Sequence, residues 1–83
     1  MIEKYISKMS ISDVTKYSKA YGISLSENET KILYDTIKKD WKAILYGDYK
    51  TIINGLKAKI SVESVNKLEK LLIEFKKKYY NYL

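Results

Sequence analysis

The sequence predicts an all-α protein, a small helical bundle of three main helices preceded by an N-terminal helical segment. Three observations lead to this class. Apolar residues recur at spacings of three and four along most of the chain. Ser or Asp stands where each apolar stripe begins, as helix N-caps do. The segments between stripes are short, so neighbouring helices should pack nearly antiparallel or cross sharply.

The chain is expected to form a single helical domain over residues 1–83. Its 83 residues bury a modest fraction of their surface, so the free energy of unfolding should be small. Hydrophobic residues make up 46% of the chain, which is enough for a packed core and argues against disorder.

The first two segments are residues 1–9 and residues 10–22. Residues 1–9 are either a short helix or a frayed terminus, since their apolar residues have helical spacing. Ser10 is the expected N-cap of the next helix, with Asp13 as the short-armed partner of a capping box. Gly22 should end that helix in the left-handed conformation.

Residues 26–46 form the next predicted helix. Ser26 and Glu29 make a full capping box, the clearest local signal in the sequence. One face carries Leu33, Ile37, Trp41 and Ile44. Nothing in the sequence breaks the pattern before the following glycine, so the helix ends either near Lys39 or at Tyr46.

Residues 48–60 present a choice between helix and hairpin. Asp48 can cap a helix with apolar residues on one face, but Asn54-Gly55 is a strong hairpin signal. The helix is preferred, because a lone hairpin has no sheet to join. A glycine inside a helix costs only about 1 kcal/mol relative to Ala.

Residues 61–83 are the helix around which the chain is organised. Ser61 is its expected cap, and its apolar seam consists of Val65, Leu68, Leu72, Phe75, Tyr79 and Tyr82. Favourable ion pairs are expected from Glu63 to Lys67 and from Glu74 to Lys78. A helix with one apolar stripe needs a cover, which the remaining helices should provide.

Three stretches carry a resemblance to a known family: Ser10 to Ser26 with Tyr21-Gly22-Ile23-Ser24-Leu25-Ser26, Asp48 to Ser61 ending Ala58-Lys59-Ile60-Ser61, and Glu63-Ser64 followed by Leu68, Leu71 and Phe75. In these stretches the chain resembles a small uncharacterised helical family, a domain of unknown function in low-GC Gram-positive bacteria. Residues 39–46 depart from the basic, Asn-containing segment of that family. The resemblance implies a helical fold and carries no activity with it.

Catalysis and metal binding are improbable on composition. The chain has no His and no Cys, so the usual general bases, soft nucleophiles and transition-metal ligands are missing. Carboxylate pairs such as Glu27/Glu29 or Asp35/Asp40 remain, but their neighbours indicate caps and surface ion pairs. We therefore expect no enzymatic activity, no cofactor and no metal.

The formal net charge of +6, carried entirely by lysine, indicates possible contact with phosphate backbones. The candidate nucleic-acid contacts are Lys57, Lys59, Lys76, Lys77, Lys78 and Tyr80. The absence of Arg argues against sequence-specific reading of bases. AT-rich coding bias explains the abundance of Lys and Tyr equally well, and a lysine run is often simply a solvated helix end.

The alternative, which we prefer, is a non-enzymatic protein-interaction or regulatory module. The distal end of the last helix would then project as an apolar edge made of Phe75, Tyr79, Tyr82 and Leu83. This edge would bind a protein partner or a second copy of the chain in a homodimer. The competing possibility is that residues 2–9 fold back and cover it.

Membrane association is not expected. The sequence has no long uncharged apolar run and no signal-peptide-like segment. Together with the absence of Cys, this predicts a cytoplasmic protein.

Overall fold

The computed structural model describes residues 2–80, and within this range it contains helices and no strand. The five helices are α1 (Ile2–Lys8), α2 (Ile11–Ala20), α3 (Glu27–Tyr46), α4 (Tyr49–Lys57) and α5 (Val62–Tyr79). The predicted all-α class is confirmed, and the N-terminal segment is a helix.

The predicted starts of α2 to α5 are confirmed. At each start, the side chain of the N-cap residue accepts a hydrogen bond from a backbone N–H two or three residues further on. These caps are Ser10, Ser26, Asp48 and Ser61. Each cap satisfies a donor that the helix itself leaves unpaired, which is why a short local motif identifies these positions.

The end of α2 is also as predicted. Gly22 has φ of +70°, the left-handed region that favours glycine. The N–H groups of Gly22 and Ile23 donate to the carbonyls of Lys19 and Ser18, both at 2.9 Å. This pattern satisfies the last carbonyls of α2 and turns the chain towards α3.

Helix α3 continues to Tyr46, but it bends at Asp40, whose φ and ψ are −114° and 17°. Both predicted end points therefore describe part of the structure: the regular helix stops near Lys39, and a second helical stretch continues to Tyr46. Leu33, Ile37 and Ile44 are buried as predicted. Trp41, just after the bend, is half-buried against the edge of the core.

Residues 49–57 are helical, so the hairpin alternative is wrong. Asn54 and Gly55 lie inside α4, and the neighbouring Ile53 and Leu56 are buried. Packing of this face against α3 and α5 outweighs the local turn preference of Asn-Gly.

The core is organised around α5, as the seam predicts. α5 contacts both α3 and α4, while α1 and α2 pack on α3. The buried residues of α5 are Val65, Leu68, Leu71, Leu72, Phe75 and Tyr79. Each fully buried leucine contributes about 1.5–3 kcal/mol relative to an exposed one, so this seam supplies much of the driving force for folding.

Candidate interaction surface

The predicted apolar edge is not exposed within the described residues. Phe75 and Tyr79 retain 2% and 7% of their accessible surface, so both belong to the core. Tyr82 and Leu83, the other two members of the predicted edge, lie outside the described residues. The structure therefore agrees with the competing possibility that the N-terminal segment covers this end of α5.

Helix α1 supplies that cover. Ile6 is buried, and the Tyr5 ring centroid lies 5.2 Å from that of Tyr79. Tyr79 also packs on Phe75, with ring centroids 5.0 Å apart. The Lys38 ammonium donates to the carbonyl of Ser7 at 2.8 Å and so holds the end of α1 against α3.

Helix α2 secures the same face of α5 through Tyr17. The Tyr17 hydroxyl donates to the backbone carbonyl of Leu71 at 3.2 Å. Burial raises the pKa of Tyr17 well above its ordinary value, because the charged phenolate would lose its hydration there. Tyr17 is therefore a neutral hydrogen-bond donor throughout the physiological range.

The three consecutive lysines of α5 have different surroundings. Successive residues of a helix point about 100° apart, so a run of three spreads over much of the circumference. The Lys76 ammonium donates to the Gly47 carbonyl at 3.3 Å, and the Lys77 ammonium lies 3.6 Å from the Glu74 carboxylate. Lys78 lies over the rings of Tyr17 and Tyr79. Glu74 thus pairs with Lys77, whereas the sequence predicted an ion pair between Glu74 and Lys78.

The other two candidate lysines lie at the opposite end of α5. Lys57 ends α4, and Lys59 stands in the turn just before Ser61; both are exposed. At 1.5 Å per residue, α5 separates Ser61 from Lys77 by roughly 24 Å. The predicted nucleic-acid contacts therefore form two separate groups instead of one continuous basic surface.

A shallow depression lies where the start of α4 meets the end of α5. We call it the terminal depression; it has a volume of about 500 Å³ and is lined by Tyr49, Ile73, Lys76, Lys77 and Tyr80. Tyr80 is 57% exposed, while Tyr49 and Ile73 are half-buried. The Lys76 ammonium lies 5.9 Å from the centre of the Tyr49 ring. Two aromatic rings, an aliphatic floor and two ammonium groups thus face solvent together.

Sequence reasoning found Lys76, Lys77 and Tyr80 but missed Tyr49 and Ile73. Ile73 could have been predicted from the sequence. It is an apolar residue on the polar side of α5, and it shares a helix face with Lys76 and Tyr80, which follow it by three and seven residues. Tyr49 could not have been assigned to the terminal depression from the sequence, because only tertiary packing brings the start of α4 to the end of α5.

Glu29, one of the candidate carboxylates, has a structural role. Glu29 is buried, and its Oε1 accepts the Ser26 N–H at 2.8 Å and lies 3.5 Å from the Lys67 ammonium. Its Oε2 accepts the Ser64 hydroxyl. Lys67 therefore pairs with Glu29 across the α3–α5 contact rather than with Glu63 along α5.

These contacts lower the pKa of Glu29. The Ser64 hydroxyl has the largest effect, followed by the Ser26 N–H, and the nearby Lys67 charge acts in the same direction. Burial opposes them. An ionised carboxylate with donors on both oxygens is suited to tying two helices together. A general acid or base would instead need to face a cleft that a substrate can enter.

Within residues 2–80, no three His, Cys, Asp or Glu side chains are grouped so that they could hold a metal ion. In the same part of the chain, no helix combines the length and apolarity needed to cross a membrane. No buried side-chain N or O atom of the described residues lacks a hydrogen-bond partner.

Comparisons with protein-family models, with curated proteins and with solved structures find no match to this chain. The family resemblance noted in the sequence stays a prediction.

Proposed function

We propose that this protein is a non-enzymatic interaction module that binds an acidic segment of a partner protein in the terminal depression. The observation that carries the proposal is that the exposed Tyr80 lines the same depression as the half-buried Tyr49 and Ile73. Tyrosine is enriched in protein interfaces, because its ring provides contact area while its hydroxyl remains compatible with water.

The two lysines of the depression favour a partner with carboxylates. Lys77 is exposed, and its ion pair with Glu74 lies on the surface. Surface pairs are worth at most about 1 kcal/mol, so a partner carboxylate can replace Glu74 at little cost. Lys76, beside Tyr49, supplies a second ammonium group at the other rim.

The depression also favours a segment with an apolar side chain. Ile73, Tyr49 and Tyr80 offer apolar surface in the same depression as Lys76 and Lys77. An aliphatic or aromatic residue flanked by Glu or Asp would match this arrangement, with the apolar residue as the anchor. Binding would order few side chains, since the depression is already formed.

The absence of catalysis is part of the proposal and rests on composition and on Glu29. The sequence contains no His and no Cys. Its buried carboxylate is committed to Ser26, Ser64 and Lys67. A cytoplasmic location, supported by the absence of Cys, belongs to the same proposal.

A second candidate is weak binding of single-stranded nucleic acid. The observation in its favour is that Lys77, Lys78 and Tyr80 are all exposed near the end of α5. A base could stack on Tyr80 while phosphates contact the lysines. One feature favours the protein partner: Lys57 and Lys59 lie at the far end of α5, away from Lys77 and Tyr80, so the lysines do not form one continuous basic surface.

The proposal can be tested by fluorescence anisotropy of a short labelled peptide of Glu and Leu residues. We expect saturable binding that weakens as salt rises, since charge pairs at the rim are screened. Lys77→Glu and Tyr80→Ala should each abolish most of the binding. Lys57→Glu and Tyr21→Ala are the matched controls, because they change an exposed Lys and an exposed Tyr outside the depression.

A labelled single-stranded oligonucleotide is the second arm of this experiment. Tighter binding of the oligonucleotide than of the peptide, reduced by Lys77→Glu and Tyr80→Ala, would favour the nucleic-acid function. Peptide binding that is unaffected by Lys77→Glu and Tyr80→Ala would contradict the proposed surface.

A further inference from the structure

The glycine inside α4, Gly55, is not required by contacts within the described part of its own chain. The protein has three glycines. Gly22 adopts a positive φ, and a Cβ at Gly47 would lie 3.0 Å from the Ala43 carbonyl oxygen, so both positions favour glycine. A Cβ at Gly55 would meet nothing within 4 Å, although a glycine in a helix costs about 1 kcal/mol relative to alanine.

Gly55 faces a groove between α3 and α4. The groove has a volume of about 390 Å³ and shares no residue with the terminal depression. Its apolar surface comes from Ile32, Ile52, Leu56 and Ile60. Three of these four remain half-buried, so aliphatic surface is exposed beside a helix that lacks a side chain at Gly55.

We propose that this groove is the interface of a symmetric dimer, in which α4 of a second copy packs across Gly55. Thr51 and Gly55 lie four residues apart on the side of α4 that lines the groove. Small residues at this spacing allow two helix axes to approach closely, and the absent side chain at Gly55 would be filled by the partner copy.

The charges at the rim favour a second copy over an unrelated occupant. The rim carries Asp35 and Asp40 together with Lys39 and Lys59. Around a two-fold axis, a patch with both signs is self-complementary, because carboxylates of each copy can face ammonium groups of the other. Two copies that each carry +6 would repel through most other orientations, so this neutral groove is the favoured contact.

The homodimer expected from the sequence used the seam of α5, whose described apolar residues are buried. In the dimer proposed here, the interface is formed by α3 and α4 instead of α5. Tyr80 and Lys77 therefore remain accessible in each copy. This inference is independent of the proposed peptide binding, and either can fail without the other.

The test is the solution mass of the full chain, measured by sedimentation equilibrium from micromolar to millimolar concentration. We expect a reversible monomer–dimer equilibrium. Gly55→Leu should weaken it about tenfold or more, because the new side chain occupies the space that the partner helix needs. Ala58→Leu is the matched control: it makes a similar change at an exposed position beside α4 and should leave the equilibrium unchanged.

The thermal unfolding midpoint at low concentration shows whether Gly55→Leu folds, and we expect it to equal or exceed that of the parent chain. An amide NMR dilution series of the parent chain provides evidence that needs no variant: concentration-dependent shifts should concentrate at residues 51–60 and on the facing side of α3. A monomer at every concentration, a dimer unaffected by Gly55→Leu, or dilution shifts centred elsewhere would overturn the inference.

Discussion

Tyr79 and Tyr80 are neighbours in the sequence but belong to different faces of α5. Tyr79 retains 7% of its accessible surface and packs on Tyr5 and Phe75. Tyr80 is 57% exposed and borders the terminal depression. The inner face is covered by α1 and α2, whereas the outer face presents Ile73, Lys77 and Tyr80 to solvent.

The contrast shows that enrichment in a residue type is a poor guide to function in this chain. Tyrosines and lysines follow one another at the end of α5, but Tyr79 is buried whereas Lys77 and Tyr80 are exposed. The inner tyrosines stabilise the fold. Substitutions on the two faces should therefore change different measured quantities.

The largest expected effect is on the inner face. Tyr79→Ala removes a buried ring and should lower the free energy of unfolding by about 3–4 kcal/mol, the range seen for aromatic truncations in cores. Urea unfolding followed by far-UV circular dichroism measures it. A loss below about 1 kcal/mol, typical of an exposed site, would contradict the burial of Tyr79 by α1.

The next largest effect on the free energy of unfolding is expected at Glu29, whose contacts join the start of α3 to the start of α5. Glu29→Gln should lower the free energy of unfolding at neutral pH by about 2 kcal/mol, because hydrogen bonds to an ionised group are lost. Urea unfolding at neutral pH compares it with Asp13→Asn, which alters the exposed capping box of α2 and should cost less.

The pH dependence of the free energy of unfolding, compared between the parent chain and Glu29→Gln, sharpens this prediction. The folded pKa of Glu29 lies below its ordinary value of 4.5, so its stabilising effect is fully present above that value. It is lost as pH falls through the lowered pKa. The parent chain and Glu29→Gln should therefore converge in stability in acid, and a constant difference between them would contradict the ionised role.

A smaller effect is expected from the hydroxyl of Tyr17. Tyr17→Phe removes one hydrogen bond to the Leu71 carbonyl and keeps the ring, so the free energy of unfolding should fall by about 1 kcal/mol. Tyr46→Phe is the control, because Tyr46 is 63% exposed. Equal unfolding midpoints in urea for the two variants would argue against the contact with α5.

The smallest effect on stability is expected on the outer face. Tyr80→Ala should change the free energy of unfolding by less than about 0.5 kcal/mol, as surface substitutions usually do. Its peptide affinity, measured by anisotropy, should nevertheless be largely lost. A variant that unfolds more easily and binds normally would reverse the assignment of the two faces.

The local features of this fold could be predicted from sequence, because each depends on a few neighbouring residues. The caps at Ser10, Ser26, Asp48 and Ser61 and the turn at Gly22 are examples. The bend at Asp40 could not be predicted, since no proline or glycine marks it. The helical state of Asn54-Gly55 required weighing packing against a local turn signal.

The candidate site was only partly predictable. Periodicity placed Tyr79 on the seam, but it could not decide whether α1 covers the seam or leaves it exposed. Spacing alone favoured Glu63 as the partner of Lys67, whereas the fold brings Glu29 closer. Tyr49 joins the terminal depression only through the packing of α4 on α5, which no local pattern encodes.

The most direct test of the division between the faces is an amide NMR titration of the parent chain with the acidic peptide. Binding at the outer face predicts progressive shifts at Tyr49, Ile73, Lys77 and Tyr80, with the amides of α1 unchanged. Shifts centred on α1 and on the inner-face residues Phe75 and Tyr79 would show instead that the partner displaces α1 and binds the seam, which would contradict the account.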